Sequence, residues 1–329
     1  LTAEARVGRS TAASRRGLAA AIILTGGLAT LPWWADSSAE RLVVEAVCLL
    51  VLAQMWNLLG GYGGLVSVGQ QAYVGIGGYT VVVLADFAGL DPFVCVPLGG
   101  AAAGLLAMPV SRVAFRLRGG YFAIGTWVIA EVFRLAVANT SALGGGSGQS
   151  LVSMRAYPKS LREPLTYWIA LALLVATIAS MYLLLRSRFG LGLTAMRDSE
   201  VAAESQGIDV AATKLWVYVI SACGGGVAGA LYFLMNLRIS PDAAFGVNWS
   251  AVTIFIVVIG GIGTIEGPIV GTVLFFALRE VLAEHGVWYL IAIGAIAVVT
   301  MVVCPQGLWG WTARRFDLHF FPLERRVRL

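Results

Sequence analysis

Eight charged residues crowd between Arg186 and Lys214, and the segment is flanked by two runs, 165–185 and 215–237, that contain no Asp, Glu, Lys or Arg. Each run is long enough to cross the hydrocarbon core of a bilayer as a helix, which takes about 20 apolar residues. The charges between them therefore lie outside the membrane. Within this island RDSEVAAESQG reads as a short helix. Asp198 or Ser199 caps its N-terminus, Glu200 suits the positive end of the dipole, Gly207 supplies the stop, and Asp209 caps the next helix into the membrane. So short a helix needs a partner to order it in water. Ala202 and Ala203 leave room for a partner's groove and Glu200 and Glu204 flank it, so the island reads as a docking surface.

Composition places the rest of the chain in lipid: 58% of its residues are hydrophobic, 12% are charged, and the mean hydropathy is +0.82. At about 20 residues per crossing there is room for roughly ten spans and no separate soluble domain. Candidate spans fall at 18–34, 42–59, 62–84, 92–111, 121–138, 164–185, 215–237, 249–264, 268–284 and 287–303. Ten crossings put both termini on one side. Of the 23 Lys and Arg residues, sixteen then fall in segments on the side of the termini, five in segments on the other side, and Arg134 and Arg279 within spans. Short loops rich in Lys and Arg stay in the cytoplasm. The expected organisation is a cytoplasmic arm over 1–17 and a transmembrane domain over 18–303, followed by a basic cytoplasmic tail over 304–329. The domain has an external loop at 139–163 and a cytoplasmic loop at 186–214. Arg15-Arg16 before an apolar run and Ser37-Ser38-Ala39 has the outline of a cleaved leader; the run's extension into Trp33-Trp34 suits a retained first helix instead.

Several chemistries are excluded. Lys occurs only at Lys159 and Lys214, so there is no G-x-x-x-x-G-K-[ST] phosphate loop. The two histidines, His285 and His319, make no H-E-x-x-H, and Ser147 lacks a G-x-S-x-G frame. The chain is expected to be non-catalytic, with no bound metal or cofactor. Cys48, Cys95, Cys223 and Cys304 all sit in apolar runs without ligand spacing and read as core fillers. The basic pI near 9.2 follows from the positive-inside bias and does not point to nucleic acid.

Two glycine-broken segments point to a path. WNLLGGYGGLVSVGQQAYVGIGGYT (56–80) and VVIGGIGTIEGPIVGT (257–272) both carry G-G-x-G, at Gly60, Gly61 and Gly63 and at Gly260, Gly261 and Gly263. Glycines such as these and Gly64 create half-helix ends whose dipoles meet a polar solute, and Gln70 and Gln71 add amide donors and acceptors. The alternative is tight helix packing with a cytoplasmic turn. Charges inside spans need partners. Glu131 and Arg134, at i and i+3, can pair on one helix face as a structural ion pair. Glu45 lies one turn inside its span, and the adjacent Arg279 and Glu280 need separate partners.

Residues 56–80, FGLGLTAMRDSEVAAESQGIDVAATK (189–214) and IFIVVIGGIGTIEGPIVGTVL (254–274) together resemble the permease family of branched-chain amino-acid ABC importers, over roughly 42–305. Within that family the chain resembles the M-type subunit. The 197–207 block is similar to the coupling loop of ABC permeases, although E-V-A-A-E-S-Q-G departs from a strict E-A-A-x-x-x-G. The resemblance implies an all-α permease of about ten helices, some broken by glycine, forming half of a pore with a paralogous H-type permease. It also implies two cytoplasmic ATPase subunits that use the ATP and engage Arg197, Asp198, Glu200, Ala202, Ala203, Glu204 and Gly207, and an extracytoplasmic solute-binding protein. The implied location is the bacterial plasma (inner) membrane, with lipid around the bundle and both termini cytoplasmic. Urea, short-amide and sugar permeases of the same superfamily stay open as alternatives, as does a stand-alone secondary transporter using Glu131, Arg134 or Glu45.

Overall fold

Side-chain caps set six of the helix starts. Asp36, Asp91, Ser187, Ser199, Asp209 and Ser240 each accept a backbone N–H in the first turn of the helix they open. The computed structural model describes residues 6–8, 12–282, 288–304, 306–316, 320–321 and 326–328. His285, His319, the ends of the expected 268–284 and 287–303 spans, and parts of the two terminal segments lie outside the described residues.

A short strand β1 (Arg6–Gly8) leads to helices α1 (Ala12–Thr30), α2 (Ser37–Trp56), α3 (Gln70–Val82), α4 (Pro92–Ala114) and α5 (Gly120–Ala138). Strand β2 (Gln149–Ser150) precedes α6 (Lys159–Arg186), α7 (Arg188–Asp198), α8 (Glu200–Ser205) and α9 (Val210–Asn236). Strand β3 (Arg238–Ile239) is followed by α10 (Pro241–Phe245), α11 (Asn248–Gly260), α12 (Glu266–Leu282), α13 (Trp288–Val303) and α14 (Gly307–Phe316), then β4 (Arg326–Arg328). β1 pairs antiparallel with β4, which lays the two terminal segments side by side.

The chain is an all-α membrane protein. Among the described residues seven helical stretches are long and apolar enough to cross a membrane: 37–62, 92–114, 120–138, 159–186, 210–236, 241–260 and 294–316. The remaining expected crossings fall on shorter helices. The expected span at 62–84 is not one helix: α2 runs on as a π-helical turn over Asn57–Tyr62, Gly64 turns at φ +71°, and α3 starts only at Gln70. The expected 249–264 span ends at Gly260, because Gly261 takes φ +138°.

The core is the packing of α3, α4 and α9. Glycines let the backbones touch: a Cβ on Gly226 of α9 would stand 2.5 Å from the Cβ of Ala103 and 2.7 Å from the carbonyl oxygen of Gly99, both on α4. Cys48 and Cys95 are buried here and all four cysteines are free. At one end of the bundle β2 pairs antiparallel with β3, Gln149 opposite Ile239 and Ser150 opposite Arg238. The Asp86 carboxylate accepts the N–H groups of Val152 (3.1 Å) and Ser153 (2.8 Å), so the loop 139–163 is stitched down as a cap.

Candidate coupling junction and translocation residues

The charged island folds as two helices joined at Ser199. Ser199 Oγ accepts the Ala202 N–H, so Ser199, not Asp198, is the cap, and Glu200 lies in the first turn of α8. Gly207 turns the chain at φ +81°, with its N–H on the Glu204 carbonyl at 2.9 Å and the Ile208 N–H on the Ala203 carbonyl at 3.1 Å. Glu200 reaches across to Lys214 of α9 at 2.6 Å, which fixes α8 against the base of that helix. Ala202 and Glu204 are exposed, whereas Ala203 is buried within the chain itself. Of the two alanines expected at a partner's groove, Ala202 faces out.

Arg197, the penultimate residue of α7, joins the island to the glycine-broken segments. Its Nη1 donates to the Gly61 carbonyl at 3.2 Å, while Nε and Nη2 hold Asp198 at 3.1 Å. A Cβ on Gly64 would lie 3.2 Å from Arg197 Cγ, and one on Gly263 would lie 3.6 Å from its Nη1. The two glycine-broken segments thus meet each other under the same guanidinium. Gly61 is so close to Gly263 that a Cβ would stand 2.8 Å from the Gly263 nitrogen. Two amides tie the contact: Asn57 donates to the Thr264 carbonyl (2.8 Å) and accepts the Gly263 N–H (2.8 Å), and Gln54 donates to the Ile265 carbonyl (2.7 Å). Gly60 lies against the Trp56 ring and Gly63 against the Leu59 carbonyl, while Gly260 packs on α12 at Gly267. Glu266, buried at the start of α12, accepts the N–H groups of Phe320 and Phe321.

Gln70 and Gln71 are not part of this junction. They open α3 deeper in the bundle, where both are buried. Gln70 Nε2 donates to Ser221 Oγ (2.7 Å), which donates to the Met55 carbonyl (2.9 Å), and Ser250 Oγ donates to Gln71 Oε1. The in-span charges lie elsewhere again. Arg134 bonds Glu131 through Nε and Nη2 and also holds Asp242 of α10 through Nη1 at 2.6 Å, so the expected pair is two-thirds of a triad joining α5 to α10. Glu45 holds Arg279. Among the described residues no group of three His, Cys, Asp or Glu side chains is placed to bind a metal.

Outside the spans, the Tyr157 hydroxyl donates to Asp91 and holds that carboxyl below the usual carboxylate range, and Asp91 in turn pushes the Tyr157 phenol up. This pair pins the far end of the 139–163 cap to the start of α4.

Sequence reasoning missed Gln54, Asn57, Ser221, Ser250 and Asp242. The first two carried a signal: two amides at i and i+3 in the otherwise apolar run 47–59 must find backbone partners in lipid.

Residues 38–303 match the family described as the branched-chain amino acid transport system permease component. The chain is 31% identical over 317 residues to the high-affinity branched-chain amino acid transport system permease protein LivM of Salmonella typhimurium, covering 87% of this chain and 73% of that one. It is 26% identical over 147 residues to the probable branched-chain amino acid transport permease protein LivH of Methanocaldococcus jannaschii, 41% of this chain and 45% of that one. It is 27% identical over 237 residues to the nucleoside ABC transporter permease protein NupC of Lactococcus lactis, 63% of this chain and 71% of that one. No solved structure matches it.

Proposed function

Since the chain belongs to the family of permease components of branched-chain amino acid transport systems, we propose that it is the M-type permease subunit of an ATP-driven importer for these amino acids. It forms half of the translocation pore with an H-type paralogue, a reading supported by its similarity to an H-type relative. Of two cytoplasmic ATPases one docks on α7–α8, and an extracytoplasmic binding protein delivers the solute to the outer side. The protein sits in the plasma membrane with both termini in the cytoplasm, in keeping with the sixteen-to-five split of loop cations.

The observation that carries the coupling is Arg197 on the Gly61 carbonyl, 136 residues away in sequence. A push on α8 or α7 from a docked ATPase moves Arg197. Through it move the backbones of Gly61 and Gly263, the ends of the two broken spans. The glycines work in this scheme as a hinge whose backbones must touch, and the solute path runs above them past Gln70 and Gln71. The Glu131–Arg134–Asp242 and Glu45–Arg279 groups hold helices together instead of relaying ions.

A second reading, nucleoside uptake, is favoured by the 27% identity to a nucleoside permease. The test is reconstitution of the copurified complex in vesicles. ATP-dependent leucine uptake that stops without the ATPases is expected. Uptake without any ATPase means a secondary transporter, and uptake of a nucleoside but not leucine selects the second reading.

A further inference from the structure

Two helices begin inside the membrane, and they begin beside each other. Val68, two residues before α3, donates its N–H to Thr126 Oγ1 at 3.1 Å, and Thr126 is six residues, or about 9 Å, into α5. Gln70 bonds Ser221, which is eleven residues, or about 16 Å, into α9. Ser250 stands ten residues, or about 15 Å, above Gly260, the end of α11 at the coupling junction. All three measures put the starts of α3 and α11 well within a hydrocarbon core about 30 Å thick. Neither start is capped by a side chain: Gly69 precedes α3 and Val247 precedes α11. One first-turn N–H of each helix is taken by a backbone carbonyl, Ala72 by Gly69 (3.1 Å) and Trp249 by Gly246 (3.3 Å), and the positive ends of the two helix dipoles face a low-dielectric interior.

The amide of Gln71 bridges the two starts. Its Oε1 takes the Ser250 hydroxyl, and its Nε2 has no partner among the described residues although the residue is fully buried. Because both atoms belong to one planar amide anchored at the first turn of α11, Nε2 lies between the two helix N-termini. Thr253, one turn along α11 from Ser250 and also fully buried, likewise has an unpartnered hydroxyl. An orphaned buried donor costs roughly 1–3 kcal/mol. Here an amide donor, a hydroxyl and two helix N-termini share one region, and among the described residues the Gln70 Oε1 acceptor at the start of α3 is unpartnered as well. The partner that satisfies the donors is an anionic oxygen pair.

We propose that the starts of α3 and α11, with Gln71 Nε2 and Thr253 Oγ1, form a mid-membrane binding site for the α-carboxylate of the transported amino acid. The inference rests on the importer reading and deepens it by locating a solute contact on the permease itself. Neutral donors suit the task. They hold a carboxylate without the burial cost of an arginine, and they release it when the helices part.

The test is binding of tritiated leucine to the purified permease–ATPase complex in the absence of the binding protein, with leucinamide, which lacks the carboxylate, as competitor. Wild type is expected to bind leucine and to be competed by unlabelled leucine but not by leucinamide. Gln71→Glu, which sets a carboxylate against the solute's own, is expected to weaken binding at least about tenfold, the scale of a hydrogen bond to a charged group. It should regain binding as pH falls and the new carboxyl takes up a proton. Thr253→Val serves as a second, milder variant should Gln71→Glu fail to assemble. Absence of leucine binding to wild type, equal competition by leucinamide, or unchanged binding in the variants overturns the site. ATP-dependent leucine uptake by the wild-type complex, measured in parallel, tells that failure from a failure of the importer reading.

Discussion

Glu45 and Arg279 lie 234 residues apart and join α2 to α12 through two parallel hydrogen bonds of 2.7 and 3.0 Å, with the guanidinium also over the Phe276 ring. Both side chains are about three-quarters buried, at 25% and 28% exposure. The fork geometry satisfies both carboxylate oxygens at a depth where a single charge is expensive. Either Glu45→Gln or Arg279→Gln alone is expected to destabilise the protein by roughly 2–3 kcal/mol, since one charge stays behind. The double variant should recover most of that loss. Thermal denaturation in detergent checks it, and additive losses in the double variant would refute the pairing.

Arg197→Met removes the donor to Gly61 while keeping most of the side-chain volume. Uptake driven by ATP is expected to fall about tenfold, the scale of one charge-assisted hydrogen bond, with insertion and ATPase recruitment unchanged. Parallel pull-down and uptake assays decide it, and full transport would remove Arg197 from the coupling route.

A Cβ at Gly207 meets no atom within 4 Å, so the main cost of Gly207→Val is backbone strain at φ +81°, about 1–2 kcal/mol. Reduced ATPase recruitment and reduced uptake together are expected. Ala203 is a poor companion probe because a larger side chain there collides inside the chain. Ala202→Trp, on the exposed side of α8, is the clean one and should block docking while leaving the permease folded.

Cysteines at Ser147 and Ser205, both exposed, should react with an impermeant thiol reagent from opposite sides of the membrane. Ser205 is preferred to Ser199, whose hydroxyl caps α8. Labelling from one side only would overturn the topology.

The Asp91–Tyr157 contact gives the 139–163 cap a pH window. Asp91 is depressed, so its contribution is complete above the ordinary carboxylate value of about 4 and is lost as pH falls through the lower folded value. Tyr157 is raised, so its contribution is complete below the ordinary phenol value of about 10 and is lost as pH rises through the higher folded one. Protection of the 149–156 amides against deuterium exchange should be high between those limits, and Tyr157→Phe should lower it there but not beyond them.

What the sequence made legible was whatever a local rule governs. The uncharged runs at 165–185 and 215–237 became α6 and α9, and Ser199, Glu200, Gly207 and Asp209 took the capping and stopping positions their chemistry suits. The start of α3 was not legible, because an apolar stretch from Tyr62 to Leu84 looks like a span until Gly64 and the side chains of Trp56, Ser67 and Thr126 take over its backbone. Long-range partners were hidden for the same reason. Nothing near Glu45 names Arg279, and nothing near Arg197 names Gly61.

The two-residue ladder between β2 and β3 sets a clock on biosynthesis. Gln149 and Ser150 are made long before Arg238 and Ile239 exist. With roughly 90 residues still to be made at about 5–20 per second, the first strand waits for about 4–18 s with its edge bare. During that interval Asp86, already synthesised, is the anchor that can hold Val152 and Ser153. A nascent chain lacking that carboxylate would hold its waiting loop only at Tyr157, through Asp91, so Asp86→Ala should lower the yield of correctly inserted protein far more than it lowers the stability of molecules that have finished folding.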